Sequence, residues 1–288
     1  MRCYRLKNLL KTLGYQATIY QRGAQAFPLS DCHHDWLVTL PNGLTSEDIV
    51  FIDSYEANHA FYTDVSKQAG QLFVFDDYHR IPYPPNAIII NGALGAKSLY
   101  KATQNCLAGI EYSLIDRIFL NTKKPKKYLR DLFIAFGGTD PLGYTQKVAK
   151  ILQNSPYHLH IITPTPFEIP HNAPITLYSN LCAAQMAALM HRCDGAISAG
   201  GGTLIELAMA QVPTLIIPTA SNQTFQAKNW ENTGAMQISN LHALPQDLKA
   251  LESVDKRAIM IAQYQNIPFG TLLASQLQAI LTKPRSKR

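Results

Sequence analysis

The sequence predicts two α/β domains in tandem, and three observations carry that reading. Short β-branched and aromatic runs alternate with segments of helical periodicity, the arrangement of parallel sheets covered on both faces. A cluster rich in lysine and proline, Lys123-Lys124-Pro125-Lys126-Lys127, interrupts the alternation near the middle. After it the alternation restarts more regularly, and 288 residues, 47% of them hydrophobic and 16% charged, are enough for one large core or two modest ones.

In order along the chain, Leu6, Leu9, Leu10 and Leu13 recur at helical spacing from Arg2 to Leu13, and Gly14 can take the left-handed cap. Ala17 to Tyr20 then reads as a strand. Ile49 to Ile52 and Leu72 to Phe75 are short apolar strands with a helical segment, Ala57 to Gln68, between them, and Ile88 to Ile90 is a further strand. Beyond the lysine cluster come strand Leu132–Phe136, helix Thr145–Leu152, strand His158–Ile162 and strand Ile175–Leu177. Helix Ala183–Arg192, strand Gly195–Ser198, helix Thr203–Ala210, strand Thr214–Ile217 and helix Phe225–Asn232, closed by Gly234, complete the series. Domains are therefore expected at residues 1–122 and 128–282, with a basic tail at 283–288.

Composition narrows the function classes. No apolar run approaches the roughly 20 residues that cross a bilayer, and the first residues are followed by mixed polar sequence, not a signal-peptide core, so a cytoplasmic protein with no membrane partner is expected. Five cysteines, odd in number and without CxxC pairs, suggest reduced thiols. Cys32-His33-His34-Asp35 gathers four metal-ligating types, yet adjacent residues seldom converge on one ion, so no metal is assigned. The net charge of +6 sits largely in the lysine cluster and the tail, without interleaved aromatics, so both read as solvated segments and no nucleic acid is expected. No obligate protein partner is evident.

Three loops follow predicted strands at their carboxyl ends, where open α/β sheets bind ligands. Phe136-Gly137-Gly138-Thr139-Asp140-Pro141 has paired glycines that let backbone amides approach an anion, although a tight strand-to-helix turn has the same composition. Ala199-Gly200-Gly201-Gly202-Thr203-Leu204-Ile205-Glu206 leads from a strand into a helix, so free N–H groups and the positive helix end suit a diphosphate. Glu206, one turn in, can accept hydrogen bonds from ligand hydroxyls; equally, Thr203 and Glu206 fit an N-cap and its capping-box partner. In Pro218-Thr219-Ala220-Ser221-Asn222-Gln223, Asn222 and Gln223 offer donors and acceptors for sugar groups, or a polar first helical turn.

Together with Asp53-Ser54-Tyr55, Phe75-Asp76-Asp77 and Gly109-Ile110-Glu111-Tyr112, these loops resemble the GT-B nucleotide-sugar superfamily. Within it they resemble the UDP-2,4-diacetamido-2,4,6-trideoxy-β-L-altropyranose hydrolases of pseudaminic acid biosynthesis; the Gly200 loop also resembles the N-acetylglucosaminyltransferase that makes lipid II. The match spans most of residues 1–240. It implies two Rossmann-like, doubly wound domains with an interdomain cleft and metal-independent hydrolysis of the glycosyl C–O bond with inversion, without a cofactor. Gly137, Gly138, Gly201, Gly202 and Thr203 are then expected to hold the diphosphate of UDP, Glu206 the ribose, and Asn222 and Gln223 the sugar or β-phosphate. Asp53 and Tyr55 become sugar-binding candidates, and Asp77 and Tyr78 catalytic ones, with Asp77 orienting water.

The family's base is thought to be the histidine of a Gly-x-Gly-His-x-x-Arg-Cys motif, of which only Arg2 and Cys3 are matched here. The resemblance therefore implies an absent first strand, a central slot left unfilled in the first sheet, and an N-terminal half of low stability and little activity without roughly 15–20 further upstream residues, one strand plus a turn. Alternatives are a glycosyltransferase with an acceptor in place of water, and a silent nucleotide-sugar binding protein. Gln211 departs from the related pattern, which has glycine there.

Overall fold

A computed structural model describes residues 2–23, 28–41, 43–138 and 140–282. The basic tail 283–288 and Thr139 thus lie outside the described residues. Chain order begins with α1 (Arg2–Thr12), β1 (Tyr20–Gln21), β2 (Cys32–His33), β3 (Ile49–Asp53), α2 (His59–Gln68), β4 (Gln71–Phe75), β5 (Ile88–Asn91) and β6 (Cys106–Ala108). It continues with β7 (Asp131–Ala135), α3 (Tyr144–Leu152), β8 (His158–Ile162), β9 (Ile175–Tyr178), α4 (Ala183–Arg192) and β10 (Gly195–Ser198). It closes with α5 (Thr203–Met209), β11 (Thr214–Ile216), α6 (Gln223–Asn232), β12 (Met236–Ile238), α7 (Leu244–Leu251), α8 (Val254–Tyr264) and α9 (Leu273–Leu281). Two compact units result, one of residues 1–115 with 268–288 and one of residues 116–267.

The first unit holds a parallel sheet in the order β3-β4-β5-β6. Its strands are apolar on both faces because both are covered. Phe73 and Phe75 of β4 point to the side where α1 packs Leu6 and Leu10 and α9 packs Leu273, Leu277 and Leu281. Leu72 and Val74 point to the other, against Tyr62 and Val65 of α2. That two-residue alternation is the pleat itself. α1 stops where Gly14 adopts φ +87°, which a side chain rarely tolerates. α2 starts where the Asn58 side chain accepts a bond from the Phe61 amide at 2.9 Å.

The second unit holds a six-stranded parallel sheet in the order β12-β11-β10-β7-β8-β9. From the central strand β7 the chain winds outward through β8 and β9, then returns to the opposite side of β7 and winds outward through β10, β11 and β12. β7 and β10 therefore flank the point at which strand order reverses, and in such sheets the helices on either side diverge there to leave a crevice at the carboxyl ends.

Three expectations need correction. The units part at Asp116, ahead of the lysine cluster, and the stretch after Pro268 belongs with the first unit, not with 128–282. The amide of Gly270 donates to Ile110 O at 3.0 Å and that of Leu272 to Glu111 O at 2.9 Å, which seats α9 beside α1. The strand expected at Ala17 to Tyr20 is only Tyr20–Gln21, paired with β2 in a separate two-stranded sheet. The first unit's four strands are hydrogen-bonded in unbroken succession from β3, the two-stranded sheet β1-β2 stands apart from them, and a cavity of about 490 Å³ is lined by Cys3 and Tyr4 of α1, Ile19, Tyr20, Asp53 at the end of β3, and Tyr55 among others.

The lysine cluster is also not simply solvated. Lys123 Nζ donates to Met190 O at 3.2 Å and to Cys193 O, carbonyls at the end of α4, and Lys126 Nζ lies 2.7 Å from the buried Asp194 carboxylate. A cation there meets the negative end of the helix dipole. Burial pushes the Lys123 ammonium down to about 8, because the charged form loses hydration.

Candidate nucleotide-sugar site

Both glycine loops rise from the strands that flank the reversal of the second sheet, the first from β7 and the second from β10. Their glycines divide by what surrounds them. A Cβ on Gly200 meets Gln223 Cβ at 2.8 Å and Gln223 O at 2.9 Å, so this residue is glycine because the start of α6 lies against it. Among the described residues, a Cβ on Gly137, Gly138, Gly201 or Gly202 meets nothing within 4 Å. Gly137 still requires glycine for its φ of +90°, whereas at Gly138, Gly201 and Gly202 internal packing imposes no such demand. Open space over bare backbone at the carboxyl ends of β7 and β10 is what a bound phosphate needs, since amides can then reach its oxygens directly.

Asp140 explains the end of the first loop. Its carboxylate accepts from the amides of Tyr144 and Thr145, each at 2.9 Å, and from the Thr145 hydroxyl, which caps α3. The capping-box reading of the second loop does not hold. Gly202 is the N-cap of α5, without a side-chain cap bond, and Thr203 is the first helical residue. Glu206 therefore falls at the fourth position of the helix, half-buried, and outside the N3 role.

In the third loop Gln223 has an internal task. Its Oε1 accepts from the amides of Gly200 at 3.0 Å and Thr219 at 2.9 Å, tying the loop after β11 to the one after β10. The oxygen is thereby engaged and the side-chain NH2 is the part left to meet a ligand. Asn222, exposed, is the N-cap of α6 but makes no side-chain cap bond, so its amide faces outward.

In the first unit, Asp53 ends β3 and Asp77 lies two residues past β4, both at the carboxyl edge of their sheet. Arg2, in the first turn of α1, joins them: Nε and Nη2 lie 2.9 and 2.5 Å from the Asp53 oxygens, and Nη1 lies 2.6 Å from Asp77 Oδ1. Burial opposes the Arg2 charge, but the two carboxylates outweigh it and the guanidinium is held more firmly protonated than in water. The guanidinium also lies 4.9 Å from the Phe75 ring centre. The Tyr55 hydroxyl donates to Asp77 Oδ2, and burial together with that carboxylate pushes the phenol well above its usual range. Tyr55 stacks on Tyr78 with centroids 6.2 Å apart and planes 13° off parallel, leaving two exposed phenol rings beside the carboxylate pair. Burial raises the Cys3 thiol to about 11, so it stays protonated beside Asp53.

Asp76 separates from Asp77 completely: it is 4% exposed and accepts from the Tyr100 hydroxyl at 2.7 Å and the Arg80 amide at 3.2 Å, a structural anchor. Arg2 was not among the site residues expected from sequence. Its signal was available, since an arginine in the first turn of a helix opposes the dipole and needs acidic partners. The histidines of this unit are engaged elsewhere: His33 with Gly23 O at 2.6 Å, His34 with Thr39 O at 2.6 Å and His59 with Pro82 O at 2.9 Å, while the ring of His79 packs edge-on against Tyr100.

No family model matches the chain. It is 31% identical over 97% of its length to a Helicobacter pylori protein named pseudaminic acid cytidylyltransferase and UDP-2,4-diacetamido-2,4,6-trideoxy-β-L-altropyranose hydrolase, and it spans about half, 52%, of that protein. Among solved structures it resembles a Listeria monocytogenes protein described as a putative UDP-N-acetylglucosamine 2-epimerase, with a TM-score of 0.62 at 14% identity, covering 100% of this chain and 96% of that one. It also resembles Acinetobacter baumannii MurG, with a TM-score of 0.51 at 17% identity over 78% of this chain and 77% of that one. Two parallel α/β units, glycine loops at the strand-order reversal of the second sheet, and the likeness to these solved structures give the chain a GT-B-like fold.

Proposed function

We propose that the chain hydrolyses a UDP-linked diacetamido-trideoxyhexose at the anomeric C–O bond with inversion, releasing UDP and the free sugar. The observation that carries this reading is the pair of open glycine loops on β7 and β10, together with the likeness to the Helicobacter pylori protein along 97% of the chain. Amides of Gly137, Gly138, Gly201, Gly202 and Thr203 bind the diphosphate. Glu206 accepts from the ribose hydroxyls, and Asn222 with the Gln223 NH2 contacts the sugar or β-phosphate. As the C–O bond breaks, negative charge accumulates on the departing UDP, and preorganised amides stabilise it more than they stabilise the ground state.

Asp53 and Tyr55 bind the sugar, and Asp77 orients the attacking water with Tyr78 beside it. Each Asp77 oxygen accepts one bond, from Arg2 or from Tyr55, and keeps a lone pair for water. The test is proton NMR of the UDP-sugar incubated with the chain and no acceptor. Release of UDP with the inverted anomer as first product is expected. Turnover only on adding an acceptor makes the protein a transferase, and binding without turnover makes it a nucleotide-sugar binding protein.

A further inference from the structure

At the amino edge of the second sheet, opposite the glycine loops, lies a group of residues that the nucleotide site does not use. His158 and His160 alternate along β8 and so share one face, and Asp131 of β7 is the register partner of His158. One ligand atom from each of the three lies within 4.8 Å of the other two. Asp131 Oδ1 is 2.8 Å from His160 Nε2 and 3.7 Å from His158 Nδ1. A tetrahedral ion with bonds of about 2.0–2.2 Å holds neighbouring donors roughly 3.4 Å apart, midway between these values.

The remaining ring nitrogens have partners suited to orient them. His158 Nε2 is 2.9 Å from Thr176 Oγ1, and His160 Nδ1 is 3.1 Å from the Tyr178 hydroxyl. Metal-bound imidazoles nearly always donate their second N–H to such an oxygen, which fixes the tautomer. His160 is buried, so its ring is held in place by the sheet around it. The His158 side chain is 45% exposed, which leaves an approach from solvent and a position for water.

We propose that Asp131, His158 and His160 bind a divalent transition-metal ion, zinc by preference. Two imidazoles and one carboxylate form a nitrogen-rich set that suits zinc and not calcium or magnesium. One neighbour competes with the ion. Arg192 Nη2 lies 3.0 Å from His160 Nδ1 and 3.3 Å from its Nε2. Arg192 is an exposed residue at the end of α4, and the Tyr178 hydroxyl, 3.4 Å from the same nitrogen, gives the guanidinium an acceptor to turn towards. On binding, the His160 proton passes from Nε2, where it faces Asp131, to Nδ1, where it faces Tyr178, so the ring stays neutral throughout. The site is about four strand residues from the glycine loop of β7, roughly 13 Å at 3.3 Å per residue, so its ion does not reach the nucleotide.

The experiment is calorimetric titration of ZnCl2 into the full chain without an affinity tag, beside His158→Ala, Tyr178→Phe and Arg192→Gln. The wild type is expected to bind one equivalent that His158→Ala loses, while zinc held by the exposed Cys182 thiol persists in both. Tyr178→Phe weakens that equivalent about 10–100-fold, the usual effect of removing an outer partner. Arg192→Gln tightens it, a result that a merely structural His–Asp–Arg network does not give. Cobalt added in place of zinc gives a visible ligand-field band in the wild type and none in His158→Ala. Identical zinc stoichiometry and affinity in wild type and His158→Ala, or weaker binding in Arg192→Gln, overturns the assignment.

Discussion

Gly200 and Gly201 are adjacent yet answer to different constraints, and substitution separates them. Gly200→Ala drives a methyl to within 2.8 Å of Gln223 Cβ, so it is expected to lower stability by about 1–3 kcal/mol, read from urea unfolding, as overpacking does. Gly201→Ala fills open space and leaves the unfolding midpoint where it was. Glu206→Ala is expected to weaken UDP about tenfold while leaving 2′,3′-dideoxy-UDP nearly unchanged, because the carboxylate acts only on the ribose hydroxyls; calorimetry with both nucleotides decides it, and equal losses remove Glu206 from the ribose. At this scale the sequence was informative about glycine but not about neighbours. The composition of Gly200-Gly201-Gly202 signals bare backbone, whereas the occupant of the space beside Gly200 is Gln223, 23 positions on, and only the fold supplies it.

Among elements, the helix ends and strands with strong periodicity were legible: α1 with its Gly14 stop, α2, β4, β7 and β10 all stand near their expected limits. β6 and β12, three residues each, were not, because strands that short contain less than two periods of alternation and borrow their conformation from neighbours. α7, α8 and α9 were left unassigned although each buries a leucine- or isoleucine-bearing face. α4 owes its C-terminal anchoring to Lys123, a residue that its sequence context disguised as linker. The sign of its pH effect follows from its depressed proton affinity. Between about pH 8 and the ordinary lysine range near 10.5 the unfolded chain holds a proton that the folded one has released, so folding gains stability as pH rises through that window. Below pH 8 both states are protonated and the contribution is flat. The stability of wild type minus that of Lys123→Met is therefore expected to increase from pH 8 to pH 10, measured by urea midpoints; a difference that stays constant or declines contradicts a buried, cationic Lys123.

For the molecule as a whole, the tandem α/β architecture was readable because parallel sheets advertise themselves as repeated apolar runs, but the return of residues after Pro268 to the first unit was not. That return rests on backbone bonds from Gly270 and Leu272 to the Ile110 turn, contacts between residues about 160 positions apart that no local pattern encodes. The reaction proposed for the molecule relies on amides to stabilise the leaving diphosphate, so EDTA treatment is expected to leave UDP release from the UDP-sugar unchanged; loss of release that magnesium restores contradicts it. The proposed placement puts UDP on the open glycines at the carboxyl ends of β7 and β10. Its most direct test is calorimetric titration of UDP into the wild type and into Gly201→Val. An unfolding midpoint within experimental error of wild type is expected, with UDP affinity weaker by at least about tenfold, or roughly 1.4 kcal/mol, because the added side chain occupies the diphosphate's place. Unaltered UDP affinity in a folded Gly201→Val protein contradicts it.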